Sequence, residues 1–260
     1  MITLLHRVPL RHALLLAVLM ASPAQADPAK QSCDVPAYLL TSESSLPKVK
    51  AAVKPDGKLN VLVVGSRSSV IGLSDHSAAY PTRLQTYLSE RLPGVTVDVA
   101  LELQVKKTAE EMAPTLGKLV EDRKPDLVIW QTGTVDAMRQ VDGDDFRNAL
   151  DDGVAAMQKA GTDVILMNLQ YSPRTESMIS GSAYLDNMRV VAQQHDAPLF
   201  DRFAIMRQWN ENGDFDLFSP APGTAGMELA KRVHDCLGRA LSAFVIETAH
   251  IKTADLRIQR

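Results

Sequence analysis

The chain has 260 residues, with 28 Lys and Arg against 31 Asp and Glu, a formal net charge of −3 and a pI near 6.1. That balance gives no global basic field, so nucleic acid is excluded as an expected partner. Beyond Met20 no segment approaches about 18 consecutive apolar residues, and no transmembrane segment is expected once a leader is removed.

The leader comes first. Arg7, Arg11 and His12 precede the apolar run Ala13 to Met20, and Ala24-Gln25-Ala26 supplies small residues in an A-x-A pattern. This predicts a signal peptide over residues 1–26 and a periplasmic or secreted mature protein. Roughly 234 residues remain, enough for one α/β domain with a sizeable core. Residues 27–58 are rich in Pro, Ser and Lys without periodicity and read as an N-terminal arm crossing the surface; residues 59–248 hold the domain, and 249–260 form a polar tail. The two cysteines, Cys33 and Cys236, lie in the arm and the last helical region. In an exported chain an even pair reads as a structural disulfide, the alternative being two separately buried thiols.

Strands are predicted at Leu59 to Val64, Val95 to Leu101, Asp126 to Gln131, Asp163 to Met167 and Pro198 to Phe200. Between them apolar residues recur at helical spacing: Tyr80, Leu84, Tyr87 and Leu88, then Met112, Leu116, Leu119 and Val120, then Phe146, Leu150, Val154 and Met157. Pro93-Gly94, Lys124-Pro125 and Ala160-Gly161 punctuate the joints. Strands alternating with crossover helices specify a mainly parallel, five-stranded sheet covered on both faces. Function then belongs in the loops starting at Gly65, Leu101, Thr132, Asn168 and Asp201.

Several local patterns have ordinary explanations. Asp142, Asp144 and Asp145 make an acidic cluster, but the helical pattern from Phe146 marks Asp144 or Asp145 as a helix N-cap, and no metal site is expected. The Gly65 loop offers serines and a cation but lacks the Gly-Lys-Ser/Thr ending of a phosphate-binding Walker loop, and no cofactor is implied. Trp130 and Trp209 read as packing, whereas Tyr171 follows a strand and can line a pocket.

The strand-one loop Gly65-Ser66-Arg67-Ser68, the helix opening Tyr80-Pro81-Thr82-Arg83-Leu84, the loop Gly133-Thr134-Val135-Asp136 and the helix segment Cys236 to Leu241 occur in an order that resembles the SGNH/GDSL hydrolases. The resemblance runs from Leu59 to about Ala243 and extends to Ile165 to Tyr171. It implies a flavodoxin-like α/β/α sandwich and hydrolysis of acetyl or acyl esters of carbohydrates and lipids. A serine nucleophile needs a base, and its tetrahedral intermediate needs donors placed beforehand.

Carried over residue by residue, the pattern is broken at each catalytic position. Arg67 stands at the nucleophile position, and a guanidinium can be neither acylated nor deprotonated near neutrality. The oxyanion-hole glycine corresponds to Val105 or Lys106, and the oxyanion-hole asparagine is replaced by Val135. In Ala225-Gly226-Met227-Glu228-Leu229 the acid position holds Ala225 and the base position Glu228. This predicts a pseudoenzyme, a binding or accessory protein for an acylated or anionic glycan or small molecule, with an envelope protein as a further partner. The ligand would lie between the Gly65 and Gly133 loops, against Gly65, Ser66, Arg67, Lys106, Gly133, Thr134, Val135, Asp136, Tyr171 and Glu228, with Arg67 and Glu228 forming an ion pair. The alternative is an active esterase using a displaced serine among Ser66, Ser68 and Ser69, with His76 as base. His195, His234 and His250 are poorer candidates by position.

Overall fold

Successive side chains of the central strands enter different cores, which fixes a three-layer architecture. The structure is a computed structural model and describes residues 33–71, 76–218, 223–252 and 256. The expected leader, residues 1–26, lies outside the described residues. Strands β1 (Lys58–Gly65), β2 (Thr96–Leu103), β3 (Leu127–Gln131), β4 (Asp163–Met167) and β5 (Leu199–Phe200) form one all-parallel sheet in the order β2-β1-β3-β4-β5. Leu62, Val64, Val128, Trp130, Val164 and Leu166 point to one face. They pack there beneath α3 (Ala109–Arg123), α5 (Gly143–Lys159) and α7 (Ser182–Gln194). Val61, Val63, Ile129, Ile165 and Met167 point to the other. That face is covered by α2 (Tyr80–Arg91), α8 (Arg202–Glu211) and α9 (Thr224–Thr248). Strands covered on both sides tolerate no polar alternation, hence the near-continuous apolar runs.

The arm contributes more than a surface crossing. Within it α1 (Pro47–Ala52) buries Val49 completely, and Leu46 before it is 1% exposed. No side chain of its own caps this helix; Asp163, the first residue of β4, accepts from the Lys48 and Val49 amides at 2.8 and 3.0 Å instead. Cys33 and Cys236 are bridged, with Cα atoms 5.2 Å apart, so the arm is tied covalently to α9 as expected. The indole of Trp209 adds a bond to the Asp34 carbonyl at 3.0 Å. At the other end Ile251 and Leu256 pack on the same core, so the tail is not uniformly polar in its contacts. The cap of α5 is Asp142, which accepts from the Asp144 and Asp145 amides; these two lie inside the first turn rather than capping it. Among the described residues no helix is long and apolar enough to cross a membrane.

Because β1 lies between β2 and β3, the connections leaving β1 and β3 diverge at the carboxyl edge of the sheet, the switch point at which open α/β sheets hold ligands. Gly65 ends β1 and Gly133 follows β3, so both loops meet at that edge, as the sequence predicts.

Candidate functional site

The turn leaving β1 is tight because Gly65 allows it: a Cβ there would run into the Ser69 hydroxyl. Ser66 and the single 3₁₀ turn Arg67–Ser69 that follows it bring three hydroxyls onto the end of β3. There Gln131, 1% exposed, bonds them all. Its Nε2 donates to Ser66 Oγ at 3.0 Å and Ser68 Oγ at 2.8 Å, while its Oε1 accepts from Ser69 and from the Tyr80 hydroxyl, each at 2.9 Å. Two donors and two lone pairs exhaust what an amide side chain offers. Burial raises the pKa of Tyr80, keeping it the neutral donor this pattern requires. Arg202 Nη1 also reaches Ser68 Oγ, at 3.4 Å.

The recorded side-chain partners of these hydroxyls are therefore an amide, a phenol, a guanidinium and one another. None can take a serine proton near neutrality. His76 is exposed and its recorded contacts are made by its main-chain carbonyl, which accepts from Thr82 Oγ1 and the Ala79 amide. The displaced pair of a serine with His76 is not assembled.

The neighbouring loops each carry a residue of left-handed backbone. Of Val105 and Lys106, both exposed, it is Lys106 that has φ of +62°, the left-handed conformation glycine favours. Gly133 has φ of +91°, and Leu169 and Met188 pack where its Cβ would be. Asp136 is fully buried and accepts from the Gly133 and Ala109 amides at 3.1 and 2.7 Å, joining this loop to the start of α3. Burial pushes its carboxyl above the usual range, against the pull of those bonds. Thr134 Oγ1 accepts from the Gln170 amide, and Val135, half-buried, offers no side-chain donor. The space between Ser66, Lys107, Gln131, Gly133 and Val135 is only about 10 Å³, roughly one water. Among the described residues little space is thus left at this point between the Gly65 and Gly133 loops.

On α9 the replacements face outward. Ala225 is exposed, and Glu228, its side chain 64% exposed, pairs with Lys231 on its own helix at 2.8 Å. The ion pair expected between Arg67 and Glu228 is not made among the described residues; a partner three residues along the same helix is within easier reach of that carboxylate.

A larger cavity, about 300 Å³, lies to one side, between the loop after β4 and the helices α8 and α9. Tyr171, Met206, Leu229 and Val233 give it apolar walls, and Gln170, Arg174 and His234 supply polar groups. Of the residues expected to bind ligand, Tyr171 alone is among those lining it. His234 Nδ1 accepts from the Tyr80 amide at 3.0 Å, which leaves the ring proton on Nε2. Burial and the adjacent Arg202 push the His234 pKa down to about 4, so the ring is neutral at physiological pH. Arg202 itself is 1% exposed, and burial lowers its pKa to about 10, still charged. Among the described residues its Nε and Nη2 have no acceptor.

Residues 32–251 match the model of the Non-GDSL lipase-like family. The chain belongs to that family. No match was found among curated proteins. Among solved structures, the acetylxylan esterase Axe2 from Geobacillus stearothermophilus superposes with a TM-score of 0.57 at 16% identity, over 78% of this chain and 98% of that one. A putative lipolytic protein of the G-D-S-L family from Desulfitobacterium hafniense DCB-2 gives 0.53 at 15% identity, over 72% and 98%. An alpha/beta hydrolase from the metagenome of Lake Arreo, Spain, gives 0.52 at 22%, over 72% and 99%. At these identities the likeness establishes the fold, an SGNH/GDSL-like hydrolase sandwich. Within it, this Non-GDSL lipase-like protein carries four buried or half-buried groups that sequence reasoning did not single out for a role in the site. In the sequence Tyr80 belongs to a helix-opening motif and to an apolar helical repeat, which marks it as packing. Gln131 closes a predicted strand, and Arg202, charged and opening a helix just after Asp201, reads as surface. His234 lies in the last helix beyond the base position.

Proposed function

We propose that this chain is an exported, non-hydrolytic member of its family that binds an acylated or anionic small molecule or glycan. The observation that carries the reading is the saturated Gln131 amide: every hydroxyl at the nucleophile turn is engaged in a network that, among the described residues, contains no base. Arg67 at the nucleophile position, Val135 at the oxyanion position and Glu228 held by Lys231 point the same way. Export is supported by the leader pattern and by the Cys33–Cys236 bridge, a linkage that persists in oxidising compartments. An envelope protein partner belongs to the same reading.

The test is turnover of nitrophenyl acetate and butyrate by the purified protein. The expected rate equals the protein-free background, and Arg67→Ser alone restores nothing, because base and oxyanion donor are still missing. Robust hydrolysis by the unmodified protein that is lost in Ser68→Ala would instead establish an esterase with a displaced nucleophile.

A further inference from the structure

β2 stands at one edge of the sheet, and the ladder tells which of its backbone groups are left over. The amides of Thr96 and Gln104 donate to the Gly57 and Gly65 carbonyls at 2.9 and 2.7 Å, so the even-numbered amides of this parallel pair face β1. Those of Val97, Val99, Leu101 and Leu103 therefore face outward. Gln85 on α2 caps one of them, its Oε1 accepting from the Val99 amide at 2.9 Å. Among the described residues the Leu101 and Leu103 amides have no such cap. The odd-numbered side chains share the α2 side of the sheet, where Val97, Val99 and Leu101 pack into the core while Leu103 and Val105 are left exposed. Free amides thus lie beside uncovered apolar side chains, and the strand has no Pro, Lys or break in register to blunt its edge. Its charges are Asp98 and Glu102, with Lys106 in the turn that follows.

We propose that this edge pairs with the same edge of a second copy of the chain, antiparallel about a two-fold axis, joining the two sheets into one. The register that leaves Gln85 on Val99 sets Leu101 opposite Leu103 on both sides of the axis, and each facing pair exchanges two hydrogen bonds. Val99 then faces Val105, which covers the exposed apolar end of the strand. The same register sets Asp98 opposite Lys106. Within one chain these two are on the order of 20 Å apart along the strand and cannot meet, but across the axis they meet twice. At the axis itself the two Glu102 side chains approach, and each already has Arg123 at 3.7 Å to offset the repulsion. This self-complementarity, apolar on apolar and acid on base, favours a second copy over an unrelated extended peptide.

The experiment is analytical sedimentation of the whole protein over about 1–200 µM, in which the average mass should rise from one copy toward two. Leu103→Pro deletes an outward amide that the fold itself does not use, and it should weaken association by about tenfold or more, since two bonds are lost per dimer. Val190→Lys, at an exposed position on α7, should leave association unchanged. Asp98→Lys and Lys106→Asp should each weaken it and together restore it, a rescue that an effect on folding alone does not produce. Where the melting transition shows that Leu103→Pro disturbs folding, Glu102→Cys keeps the test. Facing its own copy at the axis, at a spacing a disulfide accepts, that cysteine should be oxidised by dissolved oxygen to a covalent dimer, whereas Val190→Cys should not. A protein that stays monomeric at about 200 µM, a dimer indifferent to Leu103→Pro, or a Glu102→Cys variant that stays unlinked overturns the inference. So does a monomer whose edge takes up only an extended peptide of another protein.

Discussion

The turn after β1 and the cavity beside α9 share the carboxyl side of one sheet but have opposite polar accounts. At the turn, Gln131 gives every hydroxyl a partner and about 10 Å³ remains. Beside α9, about 300 Å³ is open, and among the described residues the buried cation Arg202 lacks acceptors for two of its nitrogens. A closed, satisfied network contributes rigidity, because each member loses more when its partner is removed than it gained from forming the bond. An unsatisfied one contributes recognition. Under the proposed reading the turn after β1 serves as framework in this chain, and the capacity for a ligand lies next to it.

The contrast is broken most directly by Gln131→Leu. That change leaves the buried Ser69 and Tyr80 hydroxyls with only their long mutual contact at 3.5 Å and should cost on the order of 3–5 kcal/mol in urea unfolding. A loss below about 1 kcal/mol would mean that the turn is not the rigid framework described. Next in size is the arm. Cys33 and Cys236 are 203 residues apart in sequence, and replacing both with Ser should lower stability by about 2–5 kcal/mol, measured under the same non-reducing conditions.

A third test uses pH to probe the cavity side. The folded pKa of His234, about 4, lies below its unfolded value near 6.5, so the unfolded chain binds more protons between those limits. Stability is unaffected above about pH 6.5, falls as pH drops through that window, and loses on the order of 2–3 kcal/mol by about pH 4. Asp136 and Asp163, whose carboxyls burial shifts upward, act in the opposite sense, so the comparison is the difference between the native protein and His234→Asn. Identical pH profiles for the two would remove His234 from this role. The smallest effect is expected where the sequence predicted the most. A double-mutant cycle on Arg67→Ala and Glu228→Ala should give a coupling within about 0.5 kcal/mol of zero, and a coupling above about 1 kcal/mol would reinstate the pair.

The sequence by itself determined the sandwich, because strand and helix periodicities are local and the apolar runs of β1, β3 and β4 admit no half-exposed sheet. It also pointed to the pairing of Cys33 with Cys236, two cysteines allowing one intramolecular bridge, which the structure bears out. Where side chains point was another matter. Glu228 could be assigned to the base position by spacing, but whether its carboxylate turned to Arg67 or to Lys231 depended on the helix surface it stands on. Likewise Gln131 and Arg202 are separated by about seventy residues, and only the packing of β3, α8 and the strand-one turn brings both onto Ser68. Closure of the family cleft and opening of its neighbour are sums of many such long-range contacts, to which neither periodicity nor motif spacing is sensitive.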